Sequence, residues 1–180
     1  MSGRGIVAAL LCLLSALPGA AQETGPGEYE VKAAFLYNFA LYVEWPASAA
    51  AGRGAIKIGQ VGKDVFDGAL EKTMRDRTAQ GKPLEVVRYA TADDVKPCHL
   101  LFVPYGERDR LEALARALKG SATLIVSEFE GAPHKGGVLN FYLEDKRVRI
   151  EVNPDAAARE NLKIGAKVLR VSRIVKDGGK

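Results

Sequence analysis

The 180-residue chain has few of the side chains on which enzyme chemistry most often depends, with only two cysteines and two histidines. It lacks the G-x-G-x-x-G fingerprint of dinucleotide-binding proteins, the P-loop, and the G-x-S-x-G motif of hydrolases. A zinc site would need more histidines and cysteines grouped together than this sequence has, so metal binding is not expected. These absences predict a protein without a catalytic, cofactor or metal site.

A strong charge of one sign is also lacking, because the net charge at pH 7 is +4. A balance this mild does not indicate a nucleic-acid-binding protein. Hydrophobic residues make up 47% of the chain and charged residues 27%, which is typical of a globular protein. The length allows one domain with a substantial core.

The first residues have the pattern of a secretory signal peptide. Arg4 supplies a positive charge, residues 6–17 form an apolar run, and small residues lead to a cleavage position after Ala21. The apolar run is shorter than the roughly 20 residues that span a bilayer. We therefore predict a periplasmic protein. Its parts are a signal peptide at 1–21, a flexible leader at 22–27, a domain at 28–176 and a tail at 177–180.

Cleavage would remove Cys12 and leave Cys98 as the lone cysteine of the mature chain. Because Cys98 precedes an apolar run, it fits a small buried hydrophobe, and an intermolecular disulfide or a reactive thiol is the alternative. His99 cannot easily act together with Cys98, because neighbours on a strand point to opposite faces. A nucleophile and base formed by Cys98 and His134 stays geometrically possible, although nothing around Cys98 suggests an exposed thiol of low pKa.

The most distinctive stretch is VKAAFLYNFALYVEWP, at residues 31–46. Its apolar spacing predicts a helix that starts at residue 28 or 29 and is ended by Pro46. Asn38 is its one strongly polar side chain within residues 33–43. One stripe of this helix consists of Val31, Ala34, Phe35, Asn38, Phe39 and Tyr42, and the other side of Ala33, Leu36, Tyr37, Ala40 and Val43. A helix that is apolar on both sides is either buried deep in its own domain or in contact with a partner.

The rest of the chain predicts an α/β fold. Strands at 56–61, 84–89, 100–103 and 123–126 alternate with helices at 65–74 and 109–118, which is typical of a largely parallel sheet. Residues 138–143 and 147–152 then predict a hairpin with one solvent-exposed face. We predict a single domain with a mixed, mostly parallel sheet flanked by helices and a C-terminal antiparallel hairpin.

A last helix is predicted over residues 164–175, with a basic side made of Lys163, Lys167, Arg170 and Arg173. This basic side is either a solvated face or a contact surface for an acidic partner or lipid headgroups.

Taken in order, these motifs resemble the YfiR-like family, also known as DUF4154. VKAAFLYNFALYVEWP is similar to its opening motif, IKIGQVGKDVF to its first strand and turn, and Cys98 with HLLFV to its central strand. TLIVSE, the hairpin residues 136–141 and 149–153, and the closing residues 162–175 continue the similarity. Gly165-Ala166 stands where the family often has serines.

The resemblance implies a periplasmic α/β domain without enzymatic activity. It implies a regulator that binds and represses the periplasmic part of a membrane-bound diguanylate cyclase and so lowers cyclic-di-GMP signalling. It further implies a homodimer and an outer-membrane lipoprotein that relieves the repression. Family disulfides have no counterpart here, because Cys98 has no partner within the mature chain.

The candidate partner-binding residues are Asn38, Tyr42 and Trp45 at the opening helix and Lys167, Arg170 and Arg173 at the last one. An alternative is a periplasmic small-ligand-binding sensory domain in which Trp45 and Tyr42 line a pocket. A hydrolase is a third interpretation, which the missing histidine and serine constellations disfavour.

Overall fold

The structure is a computed structural model that describes residues 27–49 and 54–177. The predicted signal peptide at 1–21 lies outside the described residues, as does the predicted leader except for Gly27.

The described residues form five α-helices and ten β-strands. The helices are α1 (Glu28–Tyr42), α2 (Ala69–Met74), α3 (Leu111–Ala117), α4 (Pro154–Arg159) and α5 (Ala166–Leu169). The strands are β1 (Val43–Glu44), β2 (Ile56–Val61), β3 (Thr78–Ala79), β4 (Lys82–Tyr89), β5 (Leu100–Val103), β6 (Leu124–Ser127), β7 (Leu139–Glu144), β8 (Arg147–Val152), β9 (Lys163–Ile164) and β10 (Ser172–Ile174). Short 3₁₀ turns lie at Ala92–Asp94, Tyr105–Arg110 and Ala132–Lys135.

Eight strands form the main sheet in the order β10-β8-β7-β6-β5-β2-β4-β3. Its centre, from β4 to β7, is parallel, and β7 and β8 form an antiparallel hairpin with Leu139 opposite Val152. β1 and β9 form a separate antiparallel ribbon. The predicted α/β class, the mixed, mostly parallel sheet and the C-terminal hairpin are confirmed.

Helices cover both faces of the sheet. On one face, α1, α2 and α5 bury an aromatic-rich cluster that includes Phe39, Phe102 and Phe141. On the other face, α3 packs Leu111 and Leu114 into a second cluster. α1 runs antiparallel to the central strands, because its first turn contacts the residue after β6 and the chain just beyond it contacts the residue before β5. The opening helix therefore crosses the whole sheet from its carboxyl edge to its amino edge.

The predicted closing helix at 164–175 is wrong. Residues in this region form the two-residue strand β9, the four-residue helix α5 and the edge strand β10. Gly165 interrupts the helical pattern with an extended backbone (ψ 148°) and begins α5 as its N-cap. The β-branched residues Ile174 and Val175 suit a strand, and β10 pairs parallel with β8. Lys163, Lys167, Arg170 and Arg173 consequently do not share one helical face.

Three other helices differ from the predicted bounds, and one of them is α3, which begins at Leu111 rather than 109 because residues 105–110 form a 3₁₀ turn. α2 begins at residue 69 rather than 65, because Asp67 and Gly68 adopt left-handed conformations (φ 48° and 77°). α1 ends at Tyr42, because Val43 and Glu44 leave the helix to pair with β9.

The hairpin departs from the predicted solvent-exposed face at one position. Arg147 and Arg149 are exposed, but the side chain of Glu151, on the same side of β8, is buried. Its carboxylate accepts a 2.9 Å hydrogen bond from Asn140 Nδ2 and pairs with Arg173 at 2.5 Å. Two donors thus compensate for the loss of water around this charge.

Candidate partner interface

α1 has one face inside the domain and one at the surface. Its buried residues are Lys32, Ala33, Leu36, Phe39 and Ala40. The ring of Phe39 stacks on Phe141 with centroids 5.8 Å apart. Of the predicted stripe, only Phe39 is buried, Ala34 is exposed, and the others are half-buried: Val31, Phe35, Asn38 and Tyr42. One side of the helix is therefore buried in its own domain, and contact of the other side with a partner stays a prediction.

A buried ion pair fixes the first turn of α1 to the sheet. Lys32 Nζ lies 2.6 Å from Glu128 Oε2, and each of these side chains is only 4% exposed. Glu128 also accepts hydrogen bonds from the Tyr29 hydroxyl (3.2 Å) and the Tyr105 backbone N–H (3.0 Å). Burial, followed by the nearby Glu128 carboxylate, raises the pKa of Tyr29 to about 12. The sequence interpretation missed this pair, because Lys32 and Glu128 are far apart in the chain.

Neutral groups fix the other end of α1. The indole Nε1 of Trp45 donates a 2.9 Å hydrogen bond to the His99 carbonyl oxygen, and the two rings meet edge to face at 5.5 Å. Gln80 Nε2 donates to the carbonyl oxygens of Ala40 (2.9 Å) and Val43 (2.7 Å), where the helix ends. The main role of Trp45 in the structure is thus to attach the end of α1 to the amino edge of the sheet.

Tyr42 and Lys167 lie together, although 125 positions separate them. Lys167 Nζ is 3.2 Å from the Tyr42 hydroxyl and 4.5 Å from the centre of its ring. The contact depends on Gly165, whose N–H donates to the Tyr42 carbonyl at 2.9 Å. A β-carbon at Gly165 would collide with that carbonyl oxygen. The structure therefore joins one predicted residue of α1 to one of the predicted basic residues.

The other predicted residues lie apart from this contact. Arg170 is exposed at the end of α5, where its Nε is 3.4 Å from the Ala166 carbonyl oxygen. Arg173 lies on β10, with its guanidinium 4.3 Å from the centre of the Tyr142 ring and paired with Glu151. Asn38 lies in the middle of the outer face of α1. The six predicted residues thus form one joined pair, Tyr42 and Lys167, and four separate positions.

The family model described as YfiR/HmsC-like, DUF4154, matches residues 29–173, which is most of the chain. The chain belongs to the YfiR/HmsC-like family. Family membership confirms the resemblance of the sequence motifs and supports a periplasmic regulatory role of the YfiR/HmsC kind, rather than a catalytic one. A comparison with curated proteins returned no match.

One solved structure to which the chain is similar is the ABC domain in complex with L-Trp from Streptococcus pneumonia. The similarity covers 70% of this chain and 57% of that one, with 11% identity and a TM-score of 0.49. The chain thus spans little more than half the length of that structure, and this likeness carries no inference about function.

Cys98, the cysteine among the described residues, is buried. Cys98 has no exposed surface, its Sγ lies 3.2 Å from the Leu100 carbonyl oxygen, and burial raises its pKa to about 12. It packs in the cluster of the second face, whereas His99 contacts Trp45 on the first, which confirms that these neighbours point apart. His134 is exposed and lines a cleft that Cys98 does not reach. The structure does not bring Cys98 and His134 together.

Among the residues that the structure describes, no helix is long and apolar enough to cross a membrane.

Proposed function

We propose that this family member binds the periplasmic part of a membrane-bound diguanylate cyclase and represses it, which lowers cyclic-di-GMP signalling. The protein acts by contact and carries out no chemistry of its own. Its export by the predicted signal peptide places it in the same compartment as that partner. Mass spectrometry of the exported protein tests the export step, and an intact Met1 would contradict cleavage after Ala21.

The outer face of α1 is the observation that carries this proposal. It keeps Val31, Phe35 and Tyr42 half-exposed, with Asn38 as the one polar group between them. An apolar helix face at the surface of a globular domain is typical of a protein-binding site. Lys167 extends this face at the Tyr42 end with a positive charge. An apolar stripe ending in a cation fits a partner with a complementary apolar and acidic surface.

Deleting the gene and measuring cellular cyclic-di-GMP tests the proposed repression. The level should rise in the deletion strain and fall again when the wild-type gene is restored. An unchanged level would contradict the repressor function.

Two matched substitutions of alanine by glutamate test whether the outer face of α1 is the partner surface. Ala34 and Ala113 are both exposed on helices, but only Ala34 lies on the outer face of α1. Ala34→Glu should fail to restore the low cyclic-di-GMP level, because it places a charge on the apolar face. Ala113→Glu should restore it fully. Equal behaviour of the two variants at wild-type abundance would remove the outer face of α1 from the proposal.

The proposal includes a homodimer and an outer-membrane lipoprotein that relieves the repression. Light scattering of the purified mature protein tests the dimer. Copurification with membrane lipoproteins before and after envelope stress tests the second partner, and the absence of any lipoprotein under both conditions would contradict it.

A small-ligand sensor is the second candidate. A cavity of about 270 Å³ lies at the amino edge of the sheet and is lined by Trp45, Gln80, Lys82 and His99. Tyr42 does not line it, so the sequence prediction holds here for Trp45 alone. A thermal-shift screen of periplasmic metabolites separates the two functions. The sensor function would be favoured if one metabolite bound tightly, if Trp45→Ala abolished its binding, and if no protein partner were found.

A further inference from the structure

The C-terminal strand β10 is the outermost strand of the main sheet. It pairs with β8 on one side, and none of the described residues pairs with its other side. The N–H of Val175 donates to the Val152 carbonyl at 2.8 Å. Because backbone groups alternate along a parallel strand, those of Ser172 and Ile174 point to the open side. The edge therefore offers hydrogen-bond donors and acceptors to an added strand.

The surroundings of this edge are basic. Residues 161–176 contain Lys163, Lys167, Arg170, Arg173 and Lys176 and no acidic residue, and Asp177, which directly follows them, pairs with Arg159. Arg173 is paired with Glu151, and Lys163 lies 3.9 Å from Glu44. Among the described residues, no carboxylate lies within ion-pair distance of the other three, of which Arg170 and Lys176 flank β10 on its two ends. These exposed cations favour an acidic occupant.

Exposed apolar side chains accompany the charges. Val171 is 62% exposed and Ile174 is 48% exposed, both unusually high for residues of this type. A strand that pairs with β10 would place its own side chains beside Ile174, which lies within β10, whereas Val171 lies just before the strand.

We infer that the free edge of β10 accepts an extended acidic segment of the partner protein, which joins the sheet as an additional strand. Main-chain hydrogen bonds would hold the segment, and its carboxylates would meet Arg170 and Lys176. A second copy of this chain fits less well, because two β10 edges would bring the same cations together. Lipid acyl chains fit less well too, because they cannot satisfy the outward backbone groups. The inference rests on the proposed function in one respect, namely that the partner is a protein.

The test uses the mature protein and a short fluorescent peptide that alternates valine with glutamate. A peptide with glutamine in place of glutamate is the charge control. Fluorescence anisotropy should show saturable binding of the acidic peptide, and binding at least about tenfold weaker for the neutral one. No binding of the acidic peptide at millimolar concentration would overturn the inference.

A proline substitution separates strand addition from simple charge attraction. Ile174→Pro removes an outward N–H and leaves the bonds to β8 in place, whereas Ile174→Ala keeps the N–H. Proline should weaken peptide binding about tenfold, and alanine should weaken it far less. Circular dichroism and the melting temperature confirm that each variant is folded. If Ile174→Pro unfolds the protein, the charge-reversal variants and a peptide with N-methylated backbone groups test strand addition instead.

Charge reversal provides the second arm. The pair Arg170→Glu and Lys176→Glu should abolish binding of the acidic peptide. The pair Lys96→Glu and Arg110→Glu, which changes the net charge equally at exposed positions elsewhere, should lower it only slightly. Equal losses in both pairs would overturn a local site. Strand addition would be overturned if peptide binding fell in the charge-reversal variants but did not change with Ile174→Pro or with N-methylation of the peptide.

Two further outcomes would overturn the acidic protein partner. One is a dimer that Ile174→Pro dissociates, and the other is binding to phosphatidylglycerol vesicles without any binding of the peptide. The gene deletion tests the repressor function separately. If deletion leaves cyclic-di-GMP unchanged while the peptide binds as expected, the proposed function fails and the strand-addition site stands. If deletion raises cyclic-di-GMP while Ile174→Pro still represses fully, the strand-addition site fails and the proposed function stands.

Discussion

The two ends of α1 are attached to the sheet by different kinds of interaction. At the first turn, Lys32 and Glu128 form an ion pair that is almost fully removed from water. At the last turn, Trp45, Gln80 and Gly165 make hydrogen bonds between neutral groups. Breaking one half of a buried ion pair leaves a charge without a partner, whereas breaking a neutral hydrogen bond costs much less. Substitutions that break the attachment at the carboxyl edge of the sheet should therefore lower the free energy of unfolding more than those at the amino edge.

With both ends attached, the outer face between them can remain apolar without being buried. Phe35 and Asn38 lie half-buried in this middle part, where the Phe35 ring packs against Phe141 with centroids 6.0 Å apart. A helix fixed at its two ends presents such a face as a rigid surface, which lowers the entropic cost of binding a partner.

The largest expected effect is at the first turn. Glu128→Gln keeps acceptors for Tyr29 and for the Tyr105 N–H but leaves buried Lys32 with only the half-exposed Glu28. The free energy of unfolding should fall by about 3 kcal/mol. Urea denaturation measures it. Glu130→Gln, at an exposed neighbour, should change it by less than about 0.5 kcal/mol. Similar small values for both variants would show that the ion pair does not fix this end.

The next effect is at the last turn. Gly165→Ala forces its new methyl group against the Tyr42 carbonyl oxygen and displaces β9 from the end of α1. Overpacking of this kind should cost about 2 kcal/mol. Gly106→Ala is the matched control, because nothing lies within 4 Å of a β-carbon there. Differential scanning calorimetry of the two variants makes the comparison. Equal melting temperatures would mean that the collision relaxes without cost.

The contrast between the two ends shows what the sequence could predict. The apolar runs of β2 and β5 and the repeating pattern of α1 are local, and the strand bounds 56–61 and 100–103 were predicted as the structure has them. The Lys32–Glu128 pair depends on the topology that brings the first turn of α1 to the end of β6, so no local pattern indicates it. Glu28, four residues before Lys32, has the spacing of a pair along the helix surface and does not point to Glu128.

The prediction of a closing helix at residues 164–175 failed for a different reason. The β-branched residues of this region have helical spacing, but such residues also suit a strand, and the pairing of residues 172–174 with β8 decides for a strand there. The contact between Tyr42 and Lys167 depends on that rearrangement. The candidate residues could therefore be named from the sequence, whereas their grouping could not.

A smaller effect is expected at Trp45. Trp45→Phe removes the Nε1 hydrogen bond but leaves the His99 carbonyl satisfied, because that oxygen also accepts the Leu124 N–H at 2.9 Å. The free energy of unfolding should fall by about 1 kcal/mol. Urea denaturation measures it, with Tyr105→Phe at an exposed ring as the control. A loss above that of Glu128→Gln would reverse the order of the two ends.

The smallest effect concerns the alkaline limit of the first turn. The pKa of Tyr29 is about 12 in the folded protein and about 10 when unfolded, so above pH 10 the unfolded state releases its proton first. The contribution of Tyr29 to stability is full below pH 10 and falls as the pH rises towards 12. Tyr29→Phe should reduce this fall without removing it, because the pKa of Tyr89 is also raised to about 12.

Thermal melts between pH 8 and pH 12 measure the difference, and Tyr105→Phe again serves as the control. The reduction should be modest, because Tyr29 is half-exposed and water screens its interaction with Glu128. An identical pH dependence in wild type and Tyr29→Phe would mean that the phenol does not feel the buried carboxylate. In that case the charged attachment of the first turn would rest on Lys32 and Glu128 alone.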